Sequence, residues 1–234
     1  MKMYEKLAEF YDDLVKDNQA TKDWVSFVKR HFQGTDVLEV ACGSGEITIA
    51  LAKEGYKVTA GDISLEMMDH AKQKTGADLV SWQLLDMRDL SNFKKFSCIC
   101  CFCDSLNYLI GDEDVQMFFR QAYDHLYENG VLLFDMHSLD RLCEFEEEFC
   151  ETGVLRNVPY EWMIFSEDDC IYQNFAFYHS DQAASLEQHV QRVYDPKWIE
   201  QILIKTGFTV EVFTDFDRHG IQEGEKYFYV CRKQ

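Results

Sequence analysis

The chain has 234 residues and a mass of 27.5 kDa, the size of one generous domain or of one domain carrying an inserted piece. Its apolar share of 47% and aromatic share of 15% are enough to bury a full core, which excludes a disordered chain. With 23 basic and 42 acidic residues the net charge is −19, the wrong sign for a broad grip on nucleic acid or anionic lipid; a small molecule or a protein is the expected partner.

Residues 4–14 and 24–32 read as two helices, with Leu7, Phe10, Tyr11 and Leu14 recurring at three- and four-residue steps. A βα rhythm follows. Residues 37–40 form a short β-rich run, then come the Gly43-Ser44-Gly45 turn and a helix with Ile47, Ala50 and Leu51 on one face, ending at Gly55. Residues 57–60 are a second strand, and Ser64 is a suitable N-cap for a helix through about Lys74 with Leu65, Met68 and Ala71 inward. Residues 79–83 and 97–102 are the third and fourth strands, the latter apolar on both faces as a central parallel strand should be. Asp112 opens a helix with a stripe of Val115, Phe118, Phe119, Ala122 and Leu126, which Gly130 stops, and residues 131–134 are a fifth strand. This alternation predicts an α/β, doubly wound, Rossmann-like sheet.

After His137 the pattern changes. Ser138 is expected to cap a short acidic helix, and residues 153–194 read as an antiparallel β set joined by polar turns at Glu167-Asp168-Asp169 and Ser180-Asp181-Gln182. A helix then runs from Pro196 to Thr206, Gly207 stops it, and residues 208–213 and 226–232 are the last two strands. The expected architecture is a seven-stranded sheet whose last strand is antiparallel. Residues 1–137 and 195–234 make the main domain, and 138–194 are an inserted lid over the carboxyl edge, where ligands of open parallel sheets sit.

At the first such edge stands Glu39-Val40-Ala41-Cys42-Gly43-Ser44-Gly45. Small residues there let backbone approach a ligand, and the helix start behind them offers free N–H groups. The second strand ends in Gly61-Asp62-Ile63, where an acid can take both ribose hydroxyls and an apolar side chain can lie on adenine. Together these indicate an adenosine-containing cofactor. The nicotinamide fingerprint needs glycines where this chain has Ala41 and Glu46, and an acid at the helix start opposes a pyrophosphate. An NAD(P)-dependent oxidoreductase is therefore the disfavoured alternative.

The spacing acid-x-Ala-Cys-Gly-Ser-Gly instead resembles class I S-adenosylmethionine-dependent methyltransferases, in particular a family of small bacterial members of mostly unassigned substrate. Residues 37–46, 61–68, Asp86-Met87-Arg88 within 85–90, Asp104-Ser105-Leu106-Asn107-Tyr108 within 103–109, 133–138 and 187–194 carry the likeness, in the expected order and over nearly the whole chain. Ala41 departs from the usual glycine, a change tolerable where φ is negative. The resemblance implies S-adenosyl-L-methionine as cofactor, with S-adenosyl-L-homocysteine as product. Glu39, Ala41, Gly43 and Gly45 would line its methionine end, Asp62 would hold the ribose, and Ile63 and Met67 would pack near the adenine. Asp86 would accept the adenine amino group while Met87 covers the ring. Phe102, Cys103 and Asp104 would floor the sulfonium, and Tyr11 would close over the carboxylate.

A sulfonium already activates its methyl, so the enzyme mainly positions and dries the reactants, and a base matters only for a protonated acceptor. Candidates for that work are His137, Asp104 and Tyr108, with Asn107, Glu187, His189 and Arg192 facing substrate. In a strand, Glu187 and His189 share one face and Arg192 takes the other. By the same alternation Cys98 and Cys100 point away from Cys101 and Cys103, so the cluster is expected to be core and not a metal site. An Asn/Asp-Pro-Pro-aromatic motif is missing, which argues, with the charge, against DNA. The nine cysteines, an odd number with four of them crowded at 98–103, predict a reducing cytoplasm. Met1 to Phe10 does not read as a signal peptide and no run approaches the roughly 18 apolar residues of a membrane span. A non-catalytic S-adenosylmethionine-binding protein is a further alternative, and monomer and homodimer both stay open.

Overall fold

The computed structural model of the chain describes residues 7–179 and 183–234; the expected helix start at residues 4–6, the reading of residues 1–6 against a signal peptide and the Ser180-Asp181-Gln182 turn lie outside them. Helices α1 (Leu7–Val15) and α2 (Asn18–His31) precede β1 (Asp36–Val40), α3 (Glu46–Lys53), β2 (Lys57–Asp62), α4 (Leu65–Lys72), β3 (Ser81–Leu84), β4 (Phe96–Cys101), α5 (Asp112–Asp124) and β5 (Leu126–His137). Then follow α6 (Asp140–Glu144), β6 (Phe149–Leu155), β7 (Val158–Glu167), β8 (Cys170–Phe177), β9 (Ser185–Arg192), α7 (Pro196–Thr206), β10 (Phe208–Thr214), β11 (Arg218–His219) and β12 (Lys226–Lys233).

The main sheet has the order β11-β10-β12-β5-β4-β1-β2-β3. The five strands β1 to β5 pair in parallel, and β12 runs antiparallel between β5 and β10. The seven predicted strands are all present, and the two-residue β11 extends one edge. Alternation sorts the core into two layers. Leu38, Ile99, Cys101, Leu132 and Phe134 pack toward α5 and α7, whereas Val37, Cys98, Cys100, Val131 and Leu133 pack toward α2 and α3. The cysteines of β4 thus divide between the two sides of the sheet. Because the strands are parallel, the carboxyl ends of β1, β2, β4 and β5 all open at one edge.

Several local expectations are corrected. Helix α2 starts six residues before the predicted Trp24, at Asn18, because the Asp17 side chain accepts N–H bonds from Gln19 at 2.7 Å and Ala20 at 3.0 Å. Ser64 does cap α4, accepting from Met67 N at 3.2 Å, but Leu65 is 56% exposed and Met67 takes the inward place. Gly130 is not a helix stop. Helix α5 ends at Asp124, and Asn129 at φ 62° turns the chain within a long β5, where the pairing with β4 shifts register. Ser138 does not cap α6; its hydroxyl donates to the Gly224 carbonyl. By contrast α7 matches its prediction at both ends, held by the Asp195 cap, Pro196 and Gly207 at φ 117°.

Strands β6-β7-β8-β9 form a separate antiparallel sheet. Its partner is unexpected from sequence. Leu7 and Phe10 of α1 pack with Tyr160, Phe175 and Phe177, and the Phe10 and Phe177 rings stack at 4.8 Å. The N-terminal helix therefore belongs to the second sheet's core as much as to the main domain. Among the described residues no helix is long and apolar enough to cross a membrane.

Candidate active site

A cavity of about 400 Å³ runs from the Ala41–Gly45 turn to the underside of the second sheet. At its first end the turn is held by Asp62, whose two carboxylate oxygens accept from Gly43 N at 2.8 Å and Ser64 N at 2.9 Å. Gly43 and Gly45 have φ of 52° and 77°, and a Cβ at Gly45 would come within 2.7 Å of the Trp82 ring. Ala41 has φ 50°. The expectation of a negative φ there is overturned: this alanine holds a left-handed conformation that suits glycine. Beside it Glu39, 2% exposed, accepts from the Thr48 hydroxyl at 2.6 Å. Ile63, Met67 and Met87 line the same end. Tyr11 reaches it from α1, and Asp12 of that helix accepts from Ser44 Oγ at 2.7 Å.

The floor is Phe102, Cys103 and Asp104, beyond β4. Cys103 and Asp104 have φ of 56° and 57°, two successive left-handed residues of the kind found at functional sites. A buried network fixes them. Asp135 accepts from Asp104 N at 2.9 Å and from Trp24 Nε1 at 2.8 Å, and Lys226 pairs with the Asp104 carboxylate. His137 Nδ1 stands 3.5 Å from Asp104 Oδ1, and its Nε2 is 3.2 Å from Gln191 Oε1. Gln191 also accepts from Gln173 Nε2 at 2.9 Å and donates to the Asp104 carbonyl at 3.3 Å. Both nitrogens of His137 are thus directed at protein atoms.

The roof comes from the second sheet, whose residues face the cavity in steps of two: Trp162 and Ile164 of β7, Ile171, Gln173 and Phe175 of β8, His189 and Gln191 of β9. Tyr108, from the turn after β4, meets this roof, its Oη 3.3 Å from His189 Nδ1.

Residues 37–130 match the sequence family described as a methyltransferase domain. A protein of Geobacillus sp. (strain WCH70) whose name assigns it to the methyltransferases is 34% identical, with 98% of this chain and 99% of that protein covered. YqeM of Bacillus subtilis (strain 168), named in the same way, is 30% identical over 99% of this chain and 97% of its own length. The crystal structure of an S-adenosylmethionine-dependent methyltransferase from Clostridium acetobutylicum ATCC 824 superposes with a TM-score of 0.82 at 26% identity, covering 98% of each chain. This chain belongs to the class I S-adenosylmethionine-dependent methyltransferases.

The methyltransferase's cavity fits that cofactor. Glu39, Asp62 and Asp104 place carboxyl groups along the lining that can accept from the cofactor's ammonium and hydroxyls, Asp104 being paired with Lys226. At the start of α3 Glu46 pairs with Lys16 at 3.0 Å and Lys74 at 2.7 Å, so carboxylate stands where a phosphate-binding helix would leave its N-terminus open. Burial pushes the Glu39 carboxyl up to about 7 and, with Asp104 adding to it, the Asp135 carboxyl up to about 6. Burial opposes charge at Asp104 as well, yet His137 and Lys226 outweigh it and hold this carboxyl below the usual range. Burial lowers His137 against the pull of Asp104, which favours a neutral imidazole. Desolvation within the site and then Asp135 push the Cys103 thiol well up, so it stays protonated although it is exposed to the cavity.

Five expected site residues do not line the cavity. Gly45 lies behind the turn. Asp86 is turned to Arg88, with Nη2 at 2.6 Å and Nε at 3.0 Å, and this pairing lowers its carboxyl. Asn107 is fully buried, donating to the Arg192 carbonyl at 2.6 Å and accepting from His137 N at 3.0 Å. Arg192 points to the opposite face, as alternation predicts, where it joins Asp169 at 2.7 Å and Asp112 at 2.6 Å. Glu187 sits behind His189. Sequence reading missed Gln173, Gln191, Trp162 and Lys226. Alternation in β9 could have found Gln191, two residues beyond His189; no local signal marks Lys226, which meets Asp104 across 122 positions.

Proposed function

We propose that this methyltransferase methylates the amine nitrogen of a small molecule in the cytoplasm, with the second sheet serving as the acceptor lid. One observation carries the reading: the cavity continues without a break from the glycine turn to a roof of Trp162, Phe175, Ile164 and Ile171, over a floor that carries Asp104. Aromatic faces and acids attract a cation and give no purchase to a phosphate backbone. The space of about 400 Å³ is within the range of small-molecule pockets, at its lower end. Two more distant relatives support an amine. A glycine/sarcosine N-methyltransferase of Parasynechococcus marenigrum (strain WH8102) is 27% identical, and an amino-sugar N,N-dimethyltransferase of Streptomyces fradiae 28%; each matches about half of its own length here.

Bound S-adenosylmethionine supplies the activated methyl. Asp62, with Ile63, Met67 and Met87, holds the nucleoside end. Glu39, the Ala41–Gly45 turn and Tyr11 hold the amino-acid end, and Phe102, Cys103 and Asp104 form the floor. His137 holds Gln191 through Nε2 and lies beside Asp104. The test is formation of S-adenosylhomocysteine with glycine, sarcosine and a dTDP-linked 3-amino sugar, against hydroxyl counterparts lacking the amine. Turnover confined to amines supports the reading; turnover only with hydroxyl compounds sinks it.

A further inference from the structure

Tyr108, His189 and Glu187 form a chain that the sequence does not bring together. Tyr108 Oη lies 3.3 Å from His189 Nδ1, His189 Nε2 lies 2.8 Å from Glu187 Oε1, and Glu187 Oε2 accepts from Leu7 N at 2.9 Å. His189 is 2% exposed and Glu187 stands beneath it, while Tyr108 lines the cavity. A carboxylate only accepts, so it assigns the imidazole proton to Nε2 and leaves the Nδ1 lone pair for the Tyr108 O–H. The arrangement has a nucleophile-side hydroxyl, a base behind it, and an acid that orients the base. Among the described residues of the cavity, no other histidine stands behind a tyrosine hydroxyl in this way. His137 Nε2 faces Gln191 Oε1 while its Nδ1 stands 3.5 Å from Asp104 Oδ1 without a hydrogen bond, Cys103 is held protonated, and Asp104 is paired with Lys226.

We propose that these three residues are the proton relay for methyl transfer, with Tyr108 Oη the atom that touches the acceptor and His189 and Glu187 its positioning residues. The proposal rests on the amine reading above. An ammonium acceptor gives one N–H proton to Tyr108 Oη as the Tyr108 proton passes to His189 Nδ1, and Glu187 balances the imidazolium. The freed nitrogen pair forms the bond to the methyl carbon as the carbon–sulfur pair stays on sulfur, and the proton on His189 returns through Tyr108 Oη to water in the cavity once product leaves. Helix α1 completes the relay through its Leu7 N–H, so the base is whole only when α1 is seated on the second sheet.

The experiment is long-range ¹⁵N–¹H NMR of the full chain labelled in histidine, with turnover measured on the amine that the panel identifies. The expected spectrum has His189 protonated at Nε2 and bare at Nδ1, and Tyr108→Phe shifts Nδ1 alone. At saturating acceptor Tyr108→Phe and His189→Ala should lower kcat at least about 100-fold, with KM for S-adenosylmethionine within about threefold, and added imidazole should restore part of the His189→Ala rate. A proton on Nδ1, or a Tyr108→Phe enzyme within about tenfold of the wild-type kcat, would overturn the relay. Turnover by hydroxyl compounds alone would sink the amine reading instead, while the nitrogen spectrum still decides the relay geometry.

Discussion

At the glycine-turn end of the cavity, Glu39, Ala41, Gly43 and Asp62 come from two neighbouring parallel strands, and the bond that locks them, Gly43 N to Asp62, spans 19 positions. At the roof end, Tyr108 meets His189 across 81 positions and Leu7 meets Glu187 across 180. One cavity thus joins a site written in short motifs to one assembled from three remote segments. The first depends on backbone shape at strand ends. The second depends on a sheet and a helix being seated together, and is the part more easily lost.

The widest effect is expected where the remote segments meet. Phe177→Ala removes a fully buried ring that stacks on Phe10 and should destabilise the fold by roughly 4 kcal/mol. Urea unfolding measures the loss, and hydrogen exchange should show α1 amides opening before those of β1 and β2. Equal protection of both would break the contrast.

Asp62→Ala attacks the local end. It deletes a carboxylate that accepts two backbone N–H bonds. S-adenosylmethionine affinity should fall by about 100-fold or more, since charge-assisted bonds contribute roughly 1.5–3 kcal/mol each. Calorimetric titration checks it, and an unchanged Kd would remove Asp62 from the cofactor site.

Glu39 sharpens the same end through pH. In the fold its carboxyl keeps its proton up to about 7, whereas an unfolded glutamate loses it near 4.5. Between those values the unfolded state holds fewer protons, so stability falls as pH rises, and the penalty is complete above pH 7 at up to roughly 3 kcal/mol. Glu39→Gln should flatten this slope in thermal unfolding series and raise Tm at pH 8 while leaving it little changed at pH 4. By the same ionisation, S-adenosylmethionine binding to the wild type should tighten as pH rises through 7.

The smallest effect concerns Ala41. Its φ of 50° costs about 1 kcal/mol that glycine would not incur, partly offset by the greater freedom of glycine in the unfolded chain. Ala41→Gly should raise stability by roughly 0.5 kcal/mol, read as a small rise in Tm. A fall in Tm would mean that the turn does not strain its alanine.

How far the sequence could be read follows the same divide. The β1 turn, Asp62 and the α7 caps are legible because each is fixed by φ requirements or capping within a few residues. Asp86 shows the limit: its motif is intact, yet Arg88 two positions on occupies its carboxylate. Gly130 shows another, since the register shift at Asn129, and not helix propensity, sets that boundary. Gln173 and Lys226 carry no local mark, because their roles depend on which strands cross the cavity.

By itself the sequence determined the class of this protein. Periodicity wrote the parallel sheet, and small residues and acids at two strand ends indicated an adenosine-containing cofactor, which the resemblance to class I methyltransferases narrowed to S-adenosylmethionine. Only the tertiary structure decided the end of the cavity under the second sheet. The pairing of α1 with the second sheet, the Asp104–Lys226–His137 cluster and the Tyr108–His189–Glu187 chain arise from contacts between segments far apart, and such contacts leave no pattern along the chain.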